Sequence, residues 1–218
     1  MGSGHGARWA ALSIDPFDEP NVQESKDNTA RILEAFQSSG DMPCGSPRLS
    51  EFGIDLYAQG QPANAISTLQ LAPALGAFLA ERQPDDYLAI LAYLSRDAAN
   101  SAELDALRSV LERNLGIPVL LGFGPRYMHS IGQLYKGGPA SGMFIVLTSE
   151  KKEDVPIPGA KYTFAQLEMA QALGDMQSLA SRGKPALRLH LREGAGRGLA
   201  ELRKTIDQVL AASPSAGS

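Results

Sequence analysis

The stretch Gly122-Phe-Gly-Pro-Arg-Tyr-Met-His-Ser-Ile-Gly-Gln-Leu-Tyr-Lys-Gly-Gly138 lies between two apolar runs, residues 117–121 and 143–148. This order predicts a strand, a glycine-rich turn, a short helix that ends at the paired glycines, and a second strand. Such a turn can aim backbone N–H groups and a helix N-terminus at one point, which suits an anion such as phosphate. The alternative interpretation is an ordinary crossover whose glycines serve packing and whose polar groups are solvated.

The rest of the chain from residue 85 onward alternates between strand and helix patterns. Continuous or alternating apolar runs predict strands at residues 87–94, 117–123, 142–149 and 186–191. Asn100 with Glu103, and Thr163 with Gln166, have the capping-box spacing at two predicted helix starts. Four strands alternating with four helices imply an α/β fold, a three-layer αβα sandwich with a mainly parallel sheet. In such sheets ligands bind at the C-terminal ends of the strands, where the 122–126 turn falls.

The first part of the chain is less regular. Residues 9–14 could form a strand, and a helix is predicted to open at Asn21, with Glu24 at the capping-box position. The composition of residues 38–50 predicts a loop, and short strands are possible within 51–72. Residues 73–81 predict a short helix. We therefore divide the chain into an irregular extension (1–84), an α/β domain (85–212) and a disordered tail (213–218).

Composition excludes several classes of function. The formal net charge is −4 and no block of basic residues occurs, so nucleic acid and anionic membranes are poor candidates as partners. No apolar run approaches the ~18 residues that span a bilayer, and the N-terminus lacks a signal-peptide pattern. Cys44 is the single cysteine, which precludes an intrachain disulfide and fits a cytoplasmic location.

Three segments together resemble a known enzyme family. The segment Ile14-Asp-Pro-Phe-Asp-Glu-Pro-Asn-Val-Gln-Glu-Ser-Lys-Asp-Asn-Thr29 resembles a phosphoglucose isomerase signature. It is most similar to the version in bacterial fusions of transaldolase with glucose-6-phosphate isomerase. Residues 124–138 match a Gly-Pro-Arg-aromatic-X-His-Ser-X-Gly-Gln-Leu-X-Lys-Gly-Gly segment of those fusions, and residues 157–175 fit the family too. The resemblance spans residues 9 to about 210.

The resemblance implies a sugar-isomerase fold, a flavodoxin-like α/β sandwich, and an aldose–ketose isomerase that interconverts glucose 6-phosphate and fructose 6-phosphate. The sugar ring opens, and a proton then moves between C1 and C2 through an enediolate, without a metal or cofactor. A carboxylate serves as the base, a histidine and a lysine assist ring opening, and an arginine stabilises the enediolate. Members of the family dimerise, so the expected partner is a second copy or the remaining isomerase domains.

The resemblance also suggests roles for individual residues. Lys26 matches the signature lysine, and His129 is the candidate acid/base for ring opening because imidazole exchanges protons near neutral pH. The alternatives are a solvated helix lysine and a capping or core histidine. The candidate substrate-binding residues are Arg126, Ser130, Gln133, Lys136 and Glu19.

Departures from the family pattern limit what the chain can do alone. Glu19 stands where the signature has Gln, and Val22-Gln23 where it has Val-Glu. The Glu-Ser-X-Gly-Lys segment that carries the catalytic glutamate does not occur here, nor does a Gly-Gly-Arg motif. We therefore expect the C-terminal third of an isomerase, with its base outside the chain. The alternatives are a non-catalytic sugar-phosphate-binding or regulatory module and a structural partner subunit.

A nucleotide-binding Rossmann domain fits the sequence poorly. The glycine-rich turn at residues 194–198 resembles a dinucleotide-binding turn. However, it follows the last predicted strand, and too few residues remain for another βαβ unit with its ribose-binding acid.

Overall fold

The computed structural model describes residues 20–59, 66–151 and 153–212, which build one six-stranded sheet with helices on both faces. The strands are β1 (Leu49–Glu51), β2 (Ile54–Gln59), β3 (Tyr87–Tyr93), β4 (Val119–Phe123), β5 (Gly142–Ser149) and β6 (Ala186–Leu191). The helices are α1 (Pro20–Ser39), α2 (Leu71–Ala80), α3 (Ala98–Leu115), α4 (Gly132–Gly137), α5 (Phe164–Ser181) and α6 (Ala195–Ala212), with a 3₁₀ helix at Arg126–His129.

The sheet has the order β1-β2-β6-β5-β3-β4, and its last four strands are parallel. Numbered along the chain, the parallel strands have the order 2-1-3-4, which is that of flavodoxin-like sheets. The strand order therefore reverses between β3 and β5. The predicted α/β three-layer sandwich with a mainly parallel sheet is confirmed. The antiparallel pair β1 and β2 extends the sheet beyond β6.

The central strands are buried on both faces, which explains their continuous apolar runs. On β3, Leu88, Ile90 and Ala92 belong to the core beneath α2, α3 and α6. Ala89, Leu91 and Tyr93 belong to the core on the other face, with α5 and the segment that follows β4. Helix α1 packs on the outer side of α5 through a third, smaller core that includes Ile32 and Leu173.

The observed N-termini of three helices can be compared with the predicted N-caps. The Thr163–Gln166 capping box is confirmed at the start of α5. The predicted start at Asn100 is wrong, because Asp97 caps α3 by accepting a hydrogen bond from the Asn100 backbone N–H at 2.8 Å. Helix α1 begins at Pro20, so Asn21 lies inside the helix and is not its cap.

The irregular first part of the chain contributes to the same sheet. Residues 54–57 are confirmed as strand within β2, whereas residues 66–70 form no strand. The predicted strand at residues 9–14 and the tail at 213–218 lie outside the described residues. The division at residue 84 stays a prediction, although β2 pairs with β6 along its whole length. Within the described ranges, every helix is too short or too polar to cross a bilayer.

The turn between β1 and β2 consists of Phe52 and Gly53, both with positive φ, at 50° and 75°. A two-residue hairpin of this kind is a type I′ turn, in which Asn-Gly is strongly preferred. Phe52 is 59% exposed, so little packing offsets its unfavourable backbone conformation.

We predict that Phe52→Asn raises the free energy of unfolding by about 1 kcal/mol, because asparagine tolerates the left-handed conformation better than phenylalanine. Urea unfolding measures the change. Leu69→Asn is the matched control, since Leu69 is also exposed but has no positive φ. Equal effects of the two substitutions would show that lost surface hydrophobicity, not the turn, is responsible.

Candidate functional site

The glycine-rich stretch after β4 forms the 3₁₀ helix and then α4, instead of the single predicted helix. Its glycines allow close packing of tyrosine side chains. A Cβ at Gly124 would lie 2.5 Å from the Tyr93 ring, and one at Gly122 would lie 3.0 Å from Cβ of Tyr127. These two glycines therefore serve packing, as the alternative interpretation of this turn expects. Helix α4 spans only six residues, so its dipole offers little attraction to an anion.

The candidate residues in this stretch divide into exposed and buried groups. Arg126, His129 and Ser130 are exposed. Gln133 is half-buried, and Lys136 is buried. Lys26 is exposed on α1, and Glu19 lies outside the described residues.

Arg126 and Ser130 meet at an open groove with a volume of about 620 Å³, beside the end of β4. Arg96, which follows β3, lines the same groove, and its guanidinium lies 5.3 Å from the ring centre of Phe123. The described lining carries two guanidinium groups and no carboxylate. Within the described ranges, neither Arg96 nor Arg126 has an acidic side chain at ion-pair distance. The groove therefore attracts anions.

Sequence reasoning found two of these groove residues and missed Arg96. The available signal was its position directly after the predicted strand 87–94, at the sheet edge where ligands bind. A charged residue after a strand is common, so the pattern alone did not distinguish Arg96 from its neighbours.

Lys136 holds a buried ion pair instead of facing the groove. Its Nζ lies 2.6 Å from Oδ1 of Asp175, and the two residues are 2% and 0% exposed. The Tyr93 hydroxyl donates to Oδ2 of Asp175 at 2.8 Å, and the Tyr127 hydroxyl lies 3.2 Å from that of Tyr93. Burial raises the pKa of Asp175 and lowers the pKa of Lys136, because each charged form loses its hydration. The predicted contact of Lys136 with substrate would require this pair to break.

Helix α1 joins the same region through hydrogen bonds to α5. Ser25 Oγ donates to Ser178 Oγ at 3.0 Å. Asn28 Nδ2 donates to Ser178 Oγ at 3.0 Å and to the Gly174 carbonyl at 3.4 Å. At Gly174, a Cβ would lie 2.8 Å from Thr29 Oγ1, so the two helices approach closely there. Residues 20–29, 124–138 and 157–175, the described parts of the three segments that carry the family resemblance, therefore meet around the Lys136–Asp175 pair.

A second crevice lies at the point where the strand order reverses. It has a volume of about 860 Å³, and its described lining comes from the segments that follow β3, β5 and β6: residues 95, 97, 99 and 100, residues 149–151 and 153, and residues 193–197. The N-termini of α3 and α6 contribute to its lining. However, the described lining has more acidic than basic residues, which makes it a poor site for an anion: the acids are Asp97, Glu150, Glu153 and Glu193, and the bases are Lys151 and Arg197.

The described residues include no group of three or more His, Cys, Asp or Glu side chains placed to hold a metal ion. The family expectation of metal-free chemistry stays a prediction.

Comparison with known proteins supports the fold and goes no further. No protein-family model matches the chain, and no curated protein matches it. The chain is similar to the crystal structure of hypothetical protein TT0462 from Thermus thermophilus, with a TM-score of 0.56 and 18% identity. The match covers 69% of this chain and 41% of that chain. At this identity, the likeness concerns the α/β architecture alone.

We predict that Lys136→Met lowers the free energy of unfolding by about 3–5 kcal/mol at pH 8, because it leaves Asp175 buried without its cation. Urea unfolding measures the loss. Lys26→Met, on the exposed surface of α1, should change stability by less than about 0.5 kcal/mol.

The loss caused by Lys136→Met should shrink at pH 5. Burial raises the folded-state pKa of Asp175 above its unfolded value, so the folded variant takes up a proton that the unfolded chain does not. Stability of the variant therefore falls as pH rises from about 4 toward the raised pKa. Equal losses at pH 5 and pH 8 would contradict a buried, unpaired carboxylate in the variant.

Proposed function

We propose that this chain is the C-terminal part of a glucose-6-phosphate isomerase, and that it binds the phosphate of the sugar in the Arg96–Arg126 groove. The observation that carries the proposal is the groove itself, which has two guanidinium groups and no carboxylate in its described lining. Arg126 and Ser130, which also line it, belong to a segment that resembles the isomerase family. The fold is of the class that the resemblance implies.

The chemistry of the groove suits a phosphate monoester. A guanidinium presents planar, paired N–H donors that match two phosphate oxygens, and its charge is permanent. Arg96 and Arg126 follow the neighbouring parallel strands β3 and β4, so both line the groove at the C-terminal ends of these strands. The Ser130 hydroxyl donates to the Tyr127 carbonyl at 3.1 Å, and its oxygen retains lone pairs for a substrate hydroxyl.

His129 is the proposed acid/base for ring opening. It directly precedes Ser130 and is exposed, but it does not line the groove, so the proposal requires a bound sugar to extend past Ser130 to its imidazole. In this step a proton is added to the ring oxygen and another is removed from the C1 hydroxyl, which opens the hemiacetal. The later proton transfer between C1 and C2 needs a carboxylate base, which we place outside this chain. Lys26 remains a second candidate for ring opening.

The proposal also implies a class of enzyme, a cellular location and a source for the missing base. The enzyme would be an aldose–ketose isomerase of central carbohydrate metabolism, located in the cytoplasm. The missing base would come from the remaining isomerase domains, or from a second copy in a homodimer.

A non-catalytic sugar-phosphate-binding module is the second candidate. The lack of any carboxylate in the described lining of the groove favours it, because such a module needs affinity and no base. The two candidates share the phosphate site and differ in whether His129 takes part in turnover once a base is supplied from outside the chain.

Calorimetric titration of the chain with glucose 6-phosphate tests the shared site. We expect saturable binding, and a loss of affinity of about tenfold or more in both Arg96→Gln and Arg126→Gln, since hydrogen bonds to charged groups contribute on that order. Arg113→Gln is the matched control. Arg113 is exposed in the last turn of α3, near the N-terminal ends of the parallel strands, and the groove lies at their C-terminal ends. Glucose without its phosphate should bind no better to the native chain than to the variants.

A coupled assay for the conversion of fructose 6-phosphate to glucose 6-phosphate, with His129→Ala as control, tests whether the base lies outside this chain, because both candidates predict no turnover by the chain alone. Turnover that disappears in the variant would show that a base is present in the chain, against our proposal. Absence of sugar-phosphate binding, or equal binding in Arg126→Gln and the native chain, would overturn the groove as the phosphate site.

A further inference from the structure

Another arginine, Arg188, is buried in a different part of the molecule. It stands on β6, next to Tyr57 of β2 and Val146 of β5, and is 2% exposed. Its neighbours Leu187 and Leu189 face the core beneath α2, α3 and α6, so Arg188 and His190 point to the α5 side. On this face α5 contacts the parallel strands β3, β5 and β6, and the antiparallel strands β1 and β2 extend the sheet beyond β6.

The guanidinium of Arg188 has few partners for a buried cation. It stacks on the Tyr57 ring, 3.7 Å from its centre, and donates to the Cys44 carbonyl at 3.2 Å. No carboxylate within the described ranges lies at ion-pair distance from it. Burial lowers the pKa of Arg188, but a guanidinium stays protonated in proteins. By contrast, the buried ammonium of Lys136 has Asp175 at 2.6 Å. Removing an uncompensated charge from water is costly, so Arg188 is a site where an anion would be strongly stabilised.

Arg188 lines a cavity of about 480 Å³, which is large enough for a small organic ligand. The cavity lies between the sheet, the loop at residues 42–44 and the start of α5. Its walls combine polar groups with the apolar side chains of Met42 and Met169 and the face of Tyr57.

The other charged groups in the described lining already have partners. Arg192 lies 3.2 Å from Asp55, and Lys151 pairs at 2.8 Å with Glu168 of α5. Asp154 accepts hydrogen bonds from the backbone N–H groups of residues 155 and 165. Glu150 lies 3.5 Å from the His190 imidazole. Arg188 is therefore the one cation in the described lining without a carboxylate partner, whereas Glu150 and Asp154 keep negative charges that disfavour a dianion.

We propose that this cavity binds a small monocarboxylate with an apolar body, whose carboxylate pairs with Arg188. The fork of the guanidinium suits the two carboxylate oxygens, and the methionine side chains suit an apolar chain. This site is separate from the Arg96–Arg126 groove and does not depend on the function proposed for it.

Cys44 gives a direct test, because it is the single cysteine of the chain and lines the cavity. Iodoacetate is a monocarboxylate, and iodoacetamide is its uncharged counterpart. In both reactions the Cys44 thiolate sulfur forms a bond to the methylene carbon, and iodide leaves with the bonding electrons. Burial raises the pKa of the Cys44 thiol, which slows both reagents alike. The ratio of their rates therefore reports attraction of the carboxylate.

We expect the ratio of the iodoacetate rate to the iodoacetamide rate, followed by intact mass, to be about tenfold or more higher in the native chain than in the urea-unfolded chain. Arg188→Gln should return the ratio to the unfolded value. Arg203→Gln, which removes the same charge from α6 on the other face of the sheet, should leave the ratio high.

Competition in the native chain keeps the test valid if Arg188→Gln fails to fold. Butyrate should protect Cys44 from alkylation, and butyramide at the same concentration should not. A rate ratio equal to that of the unfolded chain, or equal protection by butyrate and butyramide, would overturn the site. Better protection by inorganic phosphate than by butyrate would overturn the monocarboxylate class.

Discussion

The ion pair between Lys136 and Asp175 is the constraint around which one face of the molecule is organised. Through Tyr93 and Tyr127 it connects β3, the turn after β4, α4 and α5. Because a buried carboxylate and ammonium are costly apart, these elements have one arrangement in which both charges are compensated. The turn that carries the exposed candidate residues is thereby fixed to the sheet, and α1 is held beside it by hydrogen bonds to α5.

The cationic side chains differ in whether a protein group compensates their charge. We assign a structural role to the compensated ones and a binding role to the others. Lys136 has a carboxylate, and Lys184 is satisfied by the carbonyl oxygens of Gly138 and Pro139. Both groups hold elements together. Arg126 and Arg188 have no acidic partner among the described residues, one on the surface and one buried. The buried charge of Arg188 costs stability unless a ligand supplies the anion, and the exposed charge of Arg126 is accessible to an anion from solution, so these are the positions where recognition is expected.

The sequence predicted the sheet far better than it predicted the site. Strands β5 and β6 are found at their predicted bounds, because long apolar runs between glycines and prolines have few other solutions. The ion pair of Lys136 could not be predicted, because its partner Asp175 lies 39 residues further along the chain and no local pattern connects the two residues. Lys136 was therefore expected to bind substrate. The alternating pattern of β6 indicates an outward-facing Arg188. Its burial depends on Tyr57 and on the loop at Cys44, which only tertiary structure brings to it.

The pairing of β2 with β6 has a consequence for how the chain folds during synthesis. Ile54 is opposite Leu191, and Ser25 of α1 bonds to Ser178, a separation of 153 residues. Neither α1 nor β2 has these partners until the residues as far as Ser178 and Leu191 have left the ribosome. Contacts so distant in sequence close slowly, because the intervening chain must be ordered first. Until β6 is available, one edge of β2 is unpaired, and an unpaired strand edge can pair with other chains.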